Sequence, residues 1–169
     1  MPRDLAEAFE TFERSAWRLA SRDVYDVPEE APALTAWTER GEFIPPDNGW
    51  PELVRARVSA GCSMGRVQVV TRPTSDYMAW LLASYAANIA AGEDVRLVFR
   101  DQLPADLADI AEDFWMFDDR YVWVMDYDDH GAWRGAWDDS ARLTRYLGLR
   151  DRLVDTSRPY IPVRDAVGQ

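Results

Sequence analysis

The stretch Asp113–Trp137 (DFWMFDDRYVWVMDYDDHGAWRGAW) constrains this chain more than any other. It carries four of the eight tryptophans, a cluster of aspartates and the one histidine. Three runs rich in β-formers, Asp113–Phe117, Tyr121–Tyr127 and Ala132–Trp137, are separated by Asp118-Asp119-Arg120 and Asp128-Asp129-His130-Gly131. That is strand–turn–strand–turn–strand chemistry. In Tyr121–Tyr127 both faces are apolar: Val122 and Val124 on one, Tyr121, Trp123 and Met125 on the other. A strand of this kind is covered twice, or leaves one face for a partner. Residues 1–60 offer helices to cover one side.

A β-α-β unit precedes this meander. Arg66–Arg72 alternates, with Val67 and Val69 on one face. Pro73-Thr74-Ser75 breaks the strand, and Ser75 or Thr74 can cap a helix. Met78, Leu81, Leu82, Tyr85 and Ile89 form that helix's buried stripe, and Gly92 stops it. Asp94–Arg100 alternates again. A closing helix is expected over about Ser140–Val154, where Asp138 and Asp139 favour its start. Upstream, Leu5, Phe9, Phe12, Ala16 and Leu19 fall at helical spacing, which predicts an amphipathic helix over Asp4–Ala20. Shorter helices are expected over Ala33–Arg40 and from Pro51 to about Ala60, with Phe43–Gly49 as a loop. The expected fold is α/β, an N-terminal helical layer packed on a mixed sheet with order β-α-β-β-β-β-α. The chain reads as one domain over 1–169, with the helical layer at 1–61, the α/β core at 65–155 and a tail at 157–169.

Composition narrows the function. Hydrophobic residues at 47% and aromatics at 12% exclude a disordered chain. A net charge of −11 repels phosphate backbones and anionic lipid, so neither direct nucleic-acid binding nor a membrane role is expected. All 19 basic residues are arginine. Codon bias accounts for that, but it removes Schiff-base, lysine-base and phosphate-loop lysine chemistry. A single cysteine, Cys62, allows no intrachain disulfide or multi-cysteine zinc site. With a charged, amphipathic start in place of an apolar leader, the expected location is cytoplasmic.

Candidate sites are few. Asp118, Asp119, Asp126, Asp128 and Asp129 lie near strand ends beside His130, where carboxylates could bind a divalent cation, but aspartates there ordinarily bond local backbone amides. No metal, cofactor or catalytic residue is assigned. His130 lies in a hairpin turn, and no nucleophile motif accompanies it. The arginines allow two readings. Arg72 and Arg100 end their strands beside the Ser75-Asp76-Tyr77 helix start, where an open α/β sheet can hold an anion. Equally, Arg66, Arg96 and their neighbours serve to satisfy carboxylates. Trp115 and Trp123 are core residues or interface anchors. An enzyme reading would draw on Asp113, Asp118 and Asp126 with Arg66 or Arg96.

Three stretches carry a resemblance: Arg66–Tyr77 (RVQVVTRPTSDY), Ala91–Arg100 (AGEDVRLVFR) and Asp113–Asp118 (DFWMFD). They resemble a family of small acidic actinobacterial proteins known as domain of unknown function 6879, often encoded near helix-turn-helix regulators. The resemblance implies a regulatory protein partner and supplies no catalytic residues. Residues 65–155 also resemble half of a phospholipase D-type domain, degenerate versions of which serve as sensor modules. Active members use a His-x-Lys pair. Here lysine is absent and His130 precedes Gly131 and Ala132, so the resemblance implies a scaffold without phosphodiesterase chemistry. The expected function is non-enzymatic binding or regulation with a protein partner, with a small-molecule sensor or an unfamiliar enzyme as alternatives.

Overall fold

The computed structural model describes residues 1–162. Its elements in chain order are α1 (Leu5–Thr11), β1 (Ser15–Ala20), α2 (Ala31–Arg40), α3 (Trp50–Ser59), β2 (Ser63–Val70), α4 (Asp76–Ala91), β3 (Asp94–Phe99), β4 (Asp113–Phe117), β5 (Tyr121–Tyr127), β6 (Trp133–Asp138), α5 (Leu143–Thr156) and β7 (Arg158–Pro159). The seven strands form one mixed sheet in the order β6-β5-β4-β1-β2-β3-β7. β1, β2 and β3 run parallel, and the other neighbours pair antiparallel. This is the expected α/β class, with helices layered on a mixed sheet.

The expectation of one helix over Asp4–Ala20 is corrected. The helix ends at Thr11, and Ser15–Ala20 is the central strand of the sheet. Helical spacing of Leu5, Phe9 and Phe12 runs by coincidence into Ala16 and Leu19. Beyond Arg14 the pattern is equally one of strand alternation, with Trp17 and Leu19 on one face and Ala16, Arg18 and Ala20 on the other. Docking between β4 and β2 supplies backbone partners on both edges, which overrides a weak local preference. Asp118 fixes the junction: its carboxylate accepts from the backbone N–H groups of Glu13, Arg14 and Ser15. The expected tail begins with a short strand on the β3 edge, and residues 163–169 lie outside the described residues.

Alternation along the strands separates two cores. Leu19, Val67, Val69, Val98, Phe114, Met116 and Val122 point to one face, where Tyr146, Leu149 and Leu153 of α5 close over them. On the other face Ala16, Met64, Trp115, Phe117 and Trp123 pack under α1 and α3. Trp80 and Tyr77 of α4 join Tyr25 and α2 in a third cluster. Val122 and Trp123 are buried on opposite faces of β5, while Met125 and Tyr127 are only partly covered. Cys62 is buried within the second cluster. Among the described residues no helix is long and apolar enough to cross a membrane.

Candidate functional site

On the helix-covered side of the sheet the packing is incomplete and leaves a cleft of about 730 Å³. Its floor is Arg18, Arg66, Trp115, Met125 and Tyr127 from four strands. Its walls are Leu5 and Phe9 of α1, Trp50 of α3, and Tyr77, Leu81, Ser84, Tyr85 and Asn88 of α4. The loop Gly41–Gly49 covers part of the mouth with Phe43, Pro45 and Pro46. That loop is tied down by the indole N–H of Trp80, which donates to the Ile44 carbonyl at 3.1 Å.

Strand register places two arginines side by side. Arg18 of β1 lies directly opposite Arg66 of β2, and Trp115 of β4 lies opposite Arg18 on its other flank. Like charges facing one another on adjacent strands are unfavourable, so each guanidinium needs its own counter-charge. Arg66 Nε donates to Glu93 Oε1 at 2.5 Å, with the two side chains 8% and 0% exposed. Glu93 Oε2 in turn accepts from the Trp50 indole N–H at 2.9 Å. Glu93 turns inward because Gly92 ends α4 with φ of 113°, a conformation that side chains rarely adopt. A Cβ there would also meet Val58 at 3.0 Å.

Arg18 is held more loosely. Its Nη2 stands 3.4 Å from Asp113 Oδ2 and donates to the Tyr127 hydroxyl at 3.2 Å. Asp113 is already engaged, accepting from Ser21 N and Oγ at 2.8 Å each and from the Tyr25 hydroxyl at 2.5 Å. Among the described residues, the buried Arg18 Nε has no hydrogen-bond partner. Aromatic rings complete both cation sites. The Arg18 guanidinium lies 5.4 Å from the Tyr25 ring centroid and 5.7 Å from that of Trp115, and Arg66 lies 5.5 Å from Trp50 and 4.9 Å from Tyr85. Tyr85 donates to Gln68 Oε1 at 2.7 Å, which fixes the phenol beside Arg66.

Proton states in the cleft are mostly fixed. Burial pushes the Tyr25, Tyr77, Tyr85 and Tyr127 phenols up from the ordinary tyrosine value. For Arg18, burial works downward, but the oxygens of Tyr127, Tyr25 and Asp113 outweigh it and the net shift is upward. These groups therefore stay protonated through the neutral range. Glu30 at the rim differs: burial raises its carboxyl to about 6, against a hydrogen bond from the Tyr77 hydroxyl at 3.5 Å that works downward.

Of the residues singled out from sequence, the structure brings Arg66, Tyr77 and Trp115 into the cleft, with Asp113 supporting Arg18 from behind. It does not assemble the anion site expected from Arg72, Ser75 and Arg100. Arg72 pairs with Asp101 in solvent and stacks 4.1 Å from the Phe99 ring centroid. Ser75 Oγ caps α4 through Met78 N, and Asp76 stands in its first turn. Arg100 is a backbone clamp, donating to Thr71 Oγ1 and to the carbonyls of Ala108, Ile110 and Ser21. Arg96 faces the other side of the sheet and bonds Ser157 and the Val154 carbonyl.

Asp118 is a turn residue with positive φ, its carboxyl lowered because backbone donors from Ser15, Glu13 and Arg14 outweigh burial. Asp126 is exposed near Arg134. Trp123 is core. Asp128 accepts from the backbone of His130 and Ala132, as a turn-former does. Among the described residues, no three His, Cys, Asp or Glu side chains group as a metal site.

Sequence reasoning missed Arg18, Tyr25, Trp50, Tyr85 and Tyr127. A signal existed for Tyr85: Tyr77, Ser84, Tyr85 and Asn88 put polar atoms on the buried stripe of α4, which a dry core disfavours.

The fold and cleft define an α/β protein with a mixed seven-stranded sheet and a cleft lined by arginines and aromatic residues. Its architecture is shared with a crystal structure of a phospholipase D family member, Nuc from Salmonella typhimurium, at a TM-score of 0.54 and 10% identity over 92% of this chain and 87% of that one. A family model, Domain of unknown function (DUF6879), matches residues 3–162, and the chain belongs to that family. No curated protein matches it.

Proposed function

We propose that this chain is a non-enzymatic, regulatory binding protein whose cleft takes a small organic anion. The observation that carries the reading is the pair Arg18 and Arg66, neighbours on adjacent strands at the floor of an aromatic cleft. Two guanidinia held together in a low-dielectric cleft repel one another, and an anion between them relieves that repulsion. Recognition suits the site better than proton transfer, because its phenols and guanidinia hold their protons at neutral pH. The fold likeness to a phospholipase D family member adds no hydrolytic reading, since this chain has no lysine for a His-x-Lys pair.

Bound ligand would bridge α4 and the central strands, which is the way such a protein passes occupancy to its surface. The acidic exterior favours a basic protein partner, such as a helix-turn-helix regulator, over direct contact with DNA. The setting proposed is cytoplasmic. A thermal-shift screen of organic acids alongside their neutral analogues tests the reading. The expected result is a rise of about 5 °C or more for a subset of the acids at saturating concentration, reduced in Arg18→Gln. Unchanged melting across the whole acid set would overturn it.

A further inference from the structure

We infer that the cleft selects a flat aromatic monocarboxylate, its carboxylate shared by Arg18 and Arg66 and its ring laid against Trp50. The inference rests on the binding reading above and sharpens it to a ligand class.

Charge comes first. Arg66 is already paired with Glu93, and Arg18 is weakly paired with Asp113. Asp113 shares its charge among Ser21, Tyr25 and Arg18, so Arg18 is only partly neutralised and suits one added negative charge rather than several. Multiply charged phosphates would also face a chain of net charge −11.

Donors come second. Glu93 occupies Arg66 Nε, and Arg66 Nη1 makes only a 3.5 Å contact with Tyr85. Among the described residues, Arg66 Nη2 and Arg18 Nη1 have no acceptor. The sealed Nε of Arg18 gains from a nearby anion through the field alone. Planar guanidinium edges match the two oxygens of a carboxylate.

The walls come third. Trp50 and Trp115 stand with ring centroids 5.3 Å apart, and Phe9 meets Trp115 edge-on at 4.9 Å. Trp115, only 3% exposed, backs this cluster, and Trp50 and Phe9 present its apolar wall to the cleft. A ligand body against it must be apolar, because a polar group buried there would lose its hydrogen bonds to water. Flat rings also stack on indoles. The volume of about 730 Å³ admits a fused two-ring body or larger.

Isothermal calorimetry on the full chain at pH 7 tests this with four probes: 2-naphthoate, its neutral amide 2-naphthamide, 2-naphthyl phosphate, and the non-planar decalin-2-carboxylate. The expected result is that 2-naphthoate binds at least tenfold more tightly than each of the other three. Arg18→Gln is expected to remove the acid's advantage over the amide, and Trp50→Leu to weaken acid and amide alike. Arg18→Gln leaves Asp113 without its cation and lowers stability, so the wild-type ratio of acid to amide decides by itself. Equal binding of acid and amide would overturn the carboxylate assignment while leaving a binding protein. Tighter binding of the phosphate would overturn the single-charge argument, and equal binding of the decalin acid would overturn the flat ring. Binding of none of the four would overturn the ligand class, and the broader acid screen would then decide separately whether the cleft binds anions at all.

Discussion

The two faces of one sheet divide the work of this molecule. On the face under α5, the strand residues are mostly apolar, and α5 with Leu103 and Leu107 closes over them: Leu19, Val67, Val69 and Phe114 are each 2% exposed or less. One position along the same strands, the other face carries Arg18, Arg66, Gln68 and Asp113, beneath three helices and a loop that stop short of closing. Many polar atoms on that face have named partners in Glu93, Tyr85, Tyr25 and Ser21, while among the described residues Arg18 Nε has none. The contrast teaches that the sheet's closed core and the arginines of the proposed binding cleft are carried by alternate residues, so they can be broken separately.

The sharpest way to break the closed face is Leu153→Ala. Leu153 is fully buried against the sheet, and its truncation is expected to cost about 3 kcal/mol in urea unfolding, within the range for core leucines. Ligand affinity should change little in the folded fraction. A loss of affinity comparable to the loss of stability would show that the faces are not separable.

A nearly equal effect is expected on the cleft face, from a different cause. Arg66→Met strands the Glu93 carboxylate in a site with 0% exposure, which is expected to cost about 3 kcal/mol. The double change Arg66→Met with Glu93→Met removes both charges and should recover most of that stability while abolishing anion binding. A double-mutant cycle by denaturant unfolding, read beside calorimetry, checks both halves. Additive single effects would mean that the pair is not coupled.

The smallest effect concerns Glu30. Its carboxyl is raised to about 6 by burial, from an ordinary value of 4.5. A raised carboxyl favours the folded state below the ordinary value, and that contribution is lost as pH rises through about 6. Glu30→Gln should therefore match wild type near pH 4.5 and gain on it above pH 6. Discounted for partial exposure, the gain is about 1 kcal/mol. Thermal unfolding between pH 4.5 and 7.5 measures the divergence, and parallel curves would remove Glu30 from the account.

Much of the fold was legible because local signals agree with tertiary structure. Pro51 and Ser75 mark helix starts, Gly41 and Gly92 mark helix ends, and the Asp-rich turns of the meander fall where turn chemistry places them. β1 was illegible because Phe12-Glu13-Arg14 carries no glycine or proline to announce the break. What ends α1 there is the Asp118 carboxylate, more than a hundred residues away. That one misreading hid Arg18, and with it the juxtaposition of Arg18 and Arg66 at the cleft floor. Sequence reading singles out Tyr77 at the α4 helix start and Trp115 as a core or interface residue, and both line the cleft. Arg72 and Arg100 were drawn in by the rule that ligands sit at strand ends, whereas here the cleft opens over the middle of the sheet, where the helices leave a gap.

The placement of β1 bears on how the protein is made. Its strand leaves the ribosome long before both of its neighbours: β2 begins at Ser63, and β4, which completes its other edge, begins at Asp113. Through that interval Trp17 and Leu19 have no sheet to bury them. The Asp118 carboxylate that anchors Glu13, Arg14 and Ser15 arrives later still. Vectorial synthesis thus cannot finish this sheet from its beginning outward. The nascent chain carries its future centre as an unpaired segment, in need of shelter until the meander emerges.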